Sequence, residues 1–261
     1  MASDPARMPA EIARMARQHL DSLKAAGVRW IPAAPPVPVP QPSAEQTMST
    51  RLADESSFFG AVADQVPADP AERRKSLEVL AQSITKCVRC AALVSNRTQT
   101  VFGVGKISPE LCFVGEAPGQ DEDRQGEPFV GAAGQLLNRI ITACGMKREE
   151  VYICNILKCR PPGNRTPLPD EAANCREYLE SQIDLIRPKF ICALGACAAQ
   201  NLLNTTLSIG RLRGQILRYR GIPVMCTYHP AYLLRSPEKK KDVWEDMKRL
   251  MQELGRPIKG N

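Results

Sequence analysis

Apolar residues recur at helical spacing at Met8, Ile12, Met15, Leu20 and Leu23, which predicts a helix over 8–26 within an N-terminal segment of residues 1–30. Six prolines then fall between positions 32 and 42 in IPAAPPVPVPQPS, the pattern of a semi-rigid polyproline spacer. From 43 to about 68 the chain is polar and weakly patterned, so residues 31–68 are expected to be a linker without a fixed fold. A helix is predicted to resume near 70 in PAERRKSLEVLAQSI. Beyond it, short apolar runs alternate with amphipathic stretches. LCFVG, VYICNIL and KFICALG read as buried strands, with AAGQLLNRIITACG and PDEAANCREYLESQIDLI as the helices between them. A short helix at 196–203, strands in ILRYR and PVMCTY and a closing helix over 239–254 complete the pattern. Such βαβ alternation predicts one three-layer α/β/α domain with a central parallel sheet over residues 69–255, its chemistry at the carboxyl ends of the strands.

Charge adds a direction to this picture. The net charge is +7, but residues 1–80 hold 9 Lys/Arg against 10 Asp/Glu, while residues 81–261 hold 26 against 18. The excess belongs to the predicted folded part, which suits a polyanion without requiring one. The first twenty residues lack the apolar core of a signal peptide and no run of 18 apolar residues occurs, which predicts a cytosolic protein.

Ten cysteines in a reducing compartment direct attention to metal ligation or to ordinary buried thiols. Cys112, Cys144, Cys154, Cys192, Cys197 and Cys226 fall inside apolar strands or helices and read as small core residues. Cys87 and Cys90 form KCVRC, Cys159 lies in LKCRPPGNR, and Cys175 lies on the following helix. Four thiolates from such positions suit either a zinc ion or an iron–sulfur cluster, and ligand type alone leaves both open.

The strand at 111–115 runs into GEAPGQDEDRQGEPFVGAAGQLL, which is neither a P-loop nor a dinucleotide fingerprint. Together with VYICNILKCRPPGNRTP and TYHPAYLLR, in this order, it resembles the family 4 uracil-DNA glycosylases over about residues 86–250. The resemblance implies a uracil-DNA-glycosylase-like fold. It also implies a DNA repair enzyme that flips uracil out of DNA, hydrolyses its N-glycosidic bond and leaves an abasic site. Cys87, Cys90, Cys159 and Cys175 would ligate a [4Fe–4S] cluster. Glu116, Ala117 and Pro118 would line the uracil pocket, Phe129 would stack on the flipped base, Asn155 would read its edge and His229 would face its O2. Glu122 and Asn164 would sit near the attacking water, which Glu116, Glu122 or Asn164 could contact, the acting carboxylate being left open; the expected catalytic set is His229, Glu116, Glu122 and Asn164.

These assignments are chemically coherent. Excising a base requires extruding it, holding it against an aromatic face and hydrogen-bonding its edge; glycosylases are the standard case of base flipping. An amide can donate to uracil O4 while accepting from N3–H, a pattern that cytosine does not offer. A donor at O2 stabilises the departing base as an oxyanion hole would. The first-family glycosylases place an aspartate where this chain has Ala117, so leaving-group stabilisation is expected to carry more of the rate here. Gln120, Asp121 and Asp123 are read as a solvated acidic loop.

Residues 211–261 carry 12 Lys/Arg and 5 Asp/Glu. Arg213 and Arg235, beside the motifs, are the expected phosphate contacts, ahead of Arg211 and the run Lys239–Lys241, and Leu233 or Leu234 could wedge into the base stack. The expected partner is uracil-containing DNA, single- or double-stranded, bound by a monomer in a prokaryotic cytosol, with an unidentified protein for the N-terminal helix. Two rival readings are a non-turnover uracil-DNA-binding protein of the same fold and a zinc-stabilised accessory module tethered through the proline-rich arm. Relatives of the first kind carry an inserted basic loop with a histidine after the second motif, and RPPGNRTPLP has neither.

Overall fold

A computed structural model of the chain describes residues 66–258. The helix expected over 8–26 and nearly all of the spacer and linker lie outside the described residues. The first helix, α1 (Pro70–Thr85), begins where the resumed periodicity placed it, and the Asp69 side chain caps it by accepting from the Ala71 N–H at 3.1 Å. A short α2 (Ala91–Asn96) follows, then β1 (Val104–Gly105), β2 (Leu111–Gly115), α3 (Gln120–Gln125), α4 (Ala132–Ala143) and β3 (Tyr152–Asn155). The second half runs α5 (Pro169–Ile186), β4 (Phe190–Leu194), α6 (Gly195–Leu203), α7 (Ile209–Leu212), β5 (Ile216–Tyr219), β6 (Ile222–Thr227), α8 (Pro230–Arg235) and α9 (Lys240–Glu253).

The strands form one six-stranded sheet in the order β1-β3-β2-β4-β6-β5. The inner four, β3, β2, β4 and β6, are parallel; the two edge strands pair antiparallel. The two-residue strand β1 carried no periodic signal, and β5–β6 is a hairpin, so the expected parallel sheet is correct for the centre and incomplete at both edges.

Alternation along the strands divides the core into two layers. Cys112 and Val114 of β2, Ile191 and Ala193 of β4 and Val224 and Cys226 of β6 face one side, where they pack on Leu77 of α1, Leu179, Ile183 and Ile186 of α5 and Leu202 of α6. Leu111 and Phe113, Cys192 and Leu194, and Met225 face the other, against Leu136, Leu137 and Ile141 of α4 and Val243, Met247 and Leu250 of α9. Each central strand is therefore largely apolar up to its carboxyl end, as a parallel strand covered on both faces must be. The chain leaves β2 for β3 on one flank and returns to β4 on the other, which opens a crevice at the carboxyl ends of these strands.

One expectation for the loops fails. Asp123 does not belong to a solvated acidic loop: it is 2% exposed and both its oxygens accept from the Thr98 N–H at 2.9 Å. It staples α3 to the segment that leads into the sheet. Asp121, in contrast, pairs with Arg124 at the surface. Asp123→Ala is accordingly expected to destabilise the fold by about 1–3 kcal/mol, because it orphans main-chain donors. Asp121→Ala should cost less than about 1 kcal/mol. Urea unfolding midpoints of the two variants check this, and equal midpoints would refute the staple.

Candidate active site

Three of the four parallel strands lead into the wall of the crevice, and the fourth runs into a glycine packed behind His229. β2 ends in Gly115 and the turn Glu116–Gly119, β3 ends in Asn155, β4 ends against Gly195, and β6 leads through Tyr228 to His229, the N-cap of α8. A cavity of about 420 Å³ opens there. Its wall includes Glu116, Ala117, Pro118, Glu122, Phe129, Asn155, Asn164, His229 and Arg235. Every pocket residue implied by the resemblance is thus brought to one place.

Close packing at strand ends makes this convergence possible. A Cβ on Gly115 would run into both the Asn155 Oδ1 and the Phe129 ring, so glycine is required for the amide and the ring to lie side by side. At Gly195, φ is +89° and a Cβ would meet the His229 Cβ at 2.9 Å. Phe129 is buried with a φ of +55°, and its ring centroid lies 5.5 Å from that of His229.

Asn155 is 2% exposed, and its Oδ1 has no hydrogen-bond partner among the described residues. Buried acceptors are almost always satisfied, so an unpaired one in a cavity wall marks the place of a ligand's donor. His229 supplies the complementary polarity. Its Nδ1 accepts from the Ala231 N–H at 3.1 Å, which assigns the proton of a neutral imidazole to Nε2 and makes that atom a donor. Burial, reinforced by the charge of Arg235 and opposed by Glu122, lowers the His229 pKa from 6.5 to about 4.

Glu122 reaches the cavity wall, but its oxygens are engaged: Oε2 accepts from the Gly119 N–H at 3.1 Å, and Oε1 accepts from Val130 and Gly131 at 2.9 and 3.0 Å. It clamps the loop after β2 to the loop that carries Phe129. Asn164, in a turn with φ of +55°, uses its Oδ1 to accept from Arg160 Nε at 2.7 Å. Glu116 is half-buried; burial raises its pKa, and a hydrogen bond from Thr166 partly offsets the rise.

Two DNA-side expectations are corrected. Arg213 does not face solvent as a phosphate contact: its guanidinium grips Asp246 through two hydrogen bonds at 3.0 and 3.1 Å, donates to the Asp242 carbonyl and lies over the Tyr228 ring. Leu233 is 1% exposed and belongs to the core, whereas Leu234 is 45% exposed. Arg235 is exposed on the rim of the cavity, where it was expected. Thr166 and Tyr232 also line the cavity and were not anticipated. The sequence did hold a signal for Tyr232, which lies one helical turn beyond His229.

A second cavity is ringed by Cys87, Cys90, Cys159 and Cys175. Among the described residues no three His, Cys, Asp or Glu side chains come together as ligands of a single metal ion. Donors point at the sulfurs: Arg97 Nη1 reaches Cys159 Sγ at 2.9 Å and Asn174 Nδ2 reaches Cys90 Sγ at 3.5 Å. Arg97 is itself held by the Cys87 carbonyl at 2.9 Å. The other six cysteines are buried, and burial pushes Cys144, Cys197 and Cys226 up to about 12. The two cavities share a wall, because Ala117 packs against the Leu93, Leu157, Cys159 and Cys175 cluster while also lining the first cavity.

A depressed histidine pKa has a defined sign. Between pH 4 and 6.5 the unfolded chain binds a proton at His229 that the folded protein does not, so stability falls as the pH drops through that window and is unaffected above it. NMR titration of the imidazole, assigned by comparison with His229→Ala, should give a midpoint near 4. A midpoint at the ordinary 6.5 would show that the ring is solvated.

The sequence profile of the uracil DNA glycosylase superfamily matches residues 102–248. A type-4 uracil-DNA glycosylase of Thermotoga maritima is 44% identical over 181 residues, covering 68% of this chain and 94% of that protein. One of Archaeoglobus fulgidus is 42% identical over 192 residues, covering 70% and 95%. A type-5 uracil-DNA glycosylase of Pyrobaculum aerophilum is 28% identical over 184 residues, covering 58% and 80%. The six strands and the pocket all fall within the matched residues, and this chain belongs to the uracil DNA glycosylase superfamily, among its type-4 uracil-DNA glycosylases.

Proposed function

We propose that this chain excises uracil from DNA, releasing the free base and leaving an abasic site for base excision repair. The observation that carries this reading is the buried, unpaired Oδ1 of Asn155 beside the Phe129 ring. A flipped uracil against Phe129 offers its N3–H to that oxygen and its O4 to the Asn155 amide. Cytosine presents a bare nitrogen and an amino group to the same atoms, so the match of donors and acceptors is lost.

As the glycosidic bond breaks, its electron pair moves onto uracil, and the Nε2–H of neutral His229 donates to O2. A histidine that is already neutral at working pH acts here as a fixed dipole rather than an acid. The sugar is left as an oxocarbenium-like cation that water captures. Among the three residues expected near that water, we assign the contact to Glu116; Glu122 is a positioning residue for the Phe129 loop, and Asn164 shapes the wall. Arg235 would hold a phosphate and Leu234 would fill the vacated stack. Single- and double-stranded uracil-containing DNA both fit this reading.

Cys87, Cys90, Cys159 and Cys175 would hold a [4Fe–4S] cluster, whose chemistry here is to cross-link the chain, since hydrolysis moves no electrons to it. A ring of four cysteines with Arg97 and Asn174 donating to two of their sulfurs supports a thiolate-held group, and the likeness to type-4 uracil-DNA glycosylases favours the cluster over a single zinc ion. The loop from Cys159 to Leu168 both leaves the cluster and walls the uracil pocket, and it carries no insertion, which supports an enzyme over a non-turnover binder. No helix among the described residues is long and apolar enough to cross a membrane. The enzyme would work as a monomer on DNA in a prokaryotic cytosol, its catalytic domain spanning residues 69–255 and residues 1–30 serving a protein partner.

His229→Ala is expected to lower the single-turnover cleavage rate by about 10² to 10³, with a much smaller effect on binding. Glu116→Gln and Glu122→Gln should each cost less, and Asn155→Asp should lose uracil activity, because an ionised carboxylate cannot donate to O4. A chain starting at residue 69 should match the full chain in the same assay. Cleavage abolished by Glu116→Gln but retained by His229→Ala would reverse the division of labour. Separately, Cys159→Ser should bleach the visible absorbance of the purified protein and lower its stability, whereas Cys226→Ser should leave the colour intact; the reverse pattern would refute the ligand set.

A further inference from the structure

Lys158 is 0% exposed. Its Nζ donates to the Asn155 carbonyl at 3.0 Å and to Gln182 Oε1 at 2.5 Å, and it lies 6.0 Å from the centre of the Phe102 ring. All three partners are neutral. Among the described residues no carboxylate pairs with it: Glu171, which lines the same side of the fold, is committed to Arg165 at 2.6 and 2.8 Å and to the Leu168 N–H. A fully buried cation with neutral partners alone is too costly to leave without a counter-charge.

The neighbouring cavity, ringed by four cysteines, can supply one. Lys158 lines the cavity ringed by the four cysteines, between Leu157 and the ligand Cys159. The same residue therefore touches the main chain of the base reader on one side and the cysteine cavity on the other. A cluster held by four thiolates is net negative, because the thiolates outweigh its iron–sulfide core. Gln182 completes the brace: its Nε2 donates to the Phe102 carbonyl at 3.0 Å and to the Tyr152 hydroxyl at 2.8 Å, so the ammonium is held from α5 and β3 together.

We propose that Lys158 is a positioning residue that joins the two sites: its ammonium takes the anionic cluster as counter-charge and, so anchored, holds the end of β3 where Asn155 must meet uracil. The inference rests on the cluster proposed above. It assigns the cluster a consequence for catalysis without any electron transfer.

The full chain, purified with its metal under anaerobic conditions, tests this. Iron and sulfide content of the unsubstituted chain addresses the cofactor by itself; differences between variants and that chain address Lys158. In Lys158→Met the loss of a nearby positive charge should disfavour the more reduced cluster by about tenfold, about 59 mV for a one-electron couple read by voltammetry. The single-turnover cleavage rate should fall by about tenfold or more, with affinity for uracil-free DNA unchanged. Gln182→Glu keeps the lysine and gives it a carboxylate within the protein, and it should lower the potential in the same direction. Should both brown variants keep the unsubstituted potential, the counter-charge is not the cluster and the proposal falls. Should the potential move in Lys158→Met while the cleavage rate does not, the link to Asn155 falls. Zinc in place of iron in the unsubstituted chain would overturn the cofactor and the inference together.

Discussion

One buried amide governs the arrangement of this protein. Asn155 ends a strand whose residues are all buried, and its side-chain acceptor finds no partner among the described residues. Leaving such a group unpaired costs about 1–3 kcal/mol, and the surrounding structure has to hold it in place against that cost. Gly115 gives it room on the neighbouring strand, Phe129 covers it with a ring, and Lys158 grips its carbonyl. A site in which the polar groups are fixed before the ligand arrives loses little to reorganisation when the base enters.

The loops around the amide are held by charge directed at main-chain atoms rather than by surface ion pairs. Glu122 accepts from three main-chain N–H groups, Asp123 from two more, and Glu171 caps α5 while gripping Arg165. Asp123 reaches back to Thr98, Glu122 closes the loop between Gly119 and Gly131, and Glu171 holds the turn before α5, so these carboxylates act as staples of the loops. The exposed pairs, such as Arg124 with Asp121, contribute little by comparison. Arg213 follows the same economy on the basic side, where Asp246 and the Tyr228 ring keep it for the fold.

The two cavities are neighbours because they share chain. Cys159 stands four residues beyond Asn155, and the residues after it, Pro161 to Thr166, turn back to wall the uracil pocket. A group held by Cys87, Cys90, Cys159 and Cys175 would therefore also fix one side of that pocket.

Much of this was legible in the order of residues. Runs such as LCFVG and FICAL are apolar at every position, which only a strand covered on both faces requires, and the helices between them repeat at the helical period; the α/β/α layering follows from local pattern. The pocket residues were legible because three motifs carry them at strand ends. What the sequence could not decide were roles that depend on partners distant in the chain. Nothing local distinguishes Asp123 from Asp121, or Arg213 from Arg235, or Leu233 from Leu234: each pair has the same chemistry, and burial separates them only once the fold has placed Thr98, Asp246 and the α4 face nearby. The edge strand β1 is two residues long and gains its identity from pairing with β3. Lys158 reads as an ordinary basic residue in KCRPP, and only packing reveals it as a buried cation between two sites. The sequence determined which side chains were available and which elements would carry them, because periodicity is a local property. The tertiary structure decided which of those side chains are free to act, because hydrogen-bond partners and burial come from segments that meet only in the folded chain.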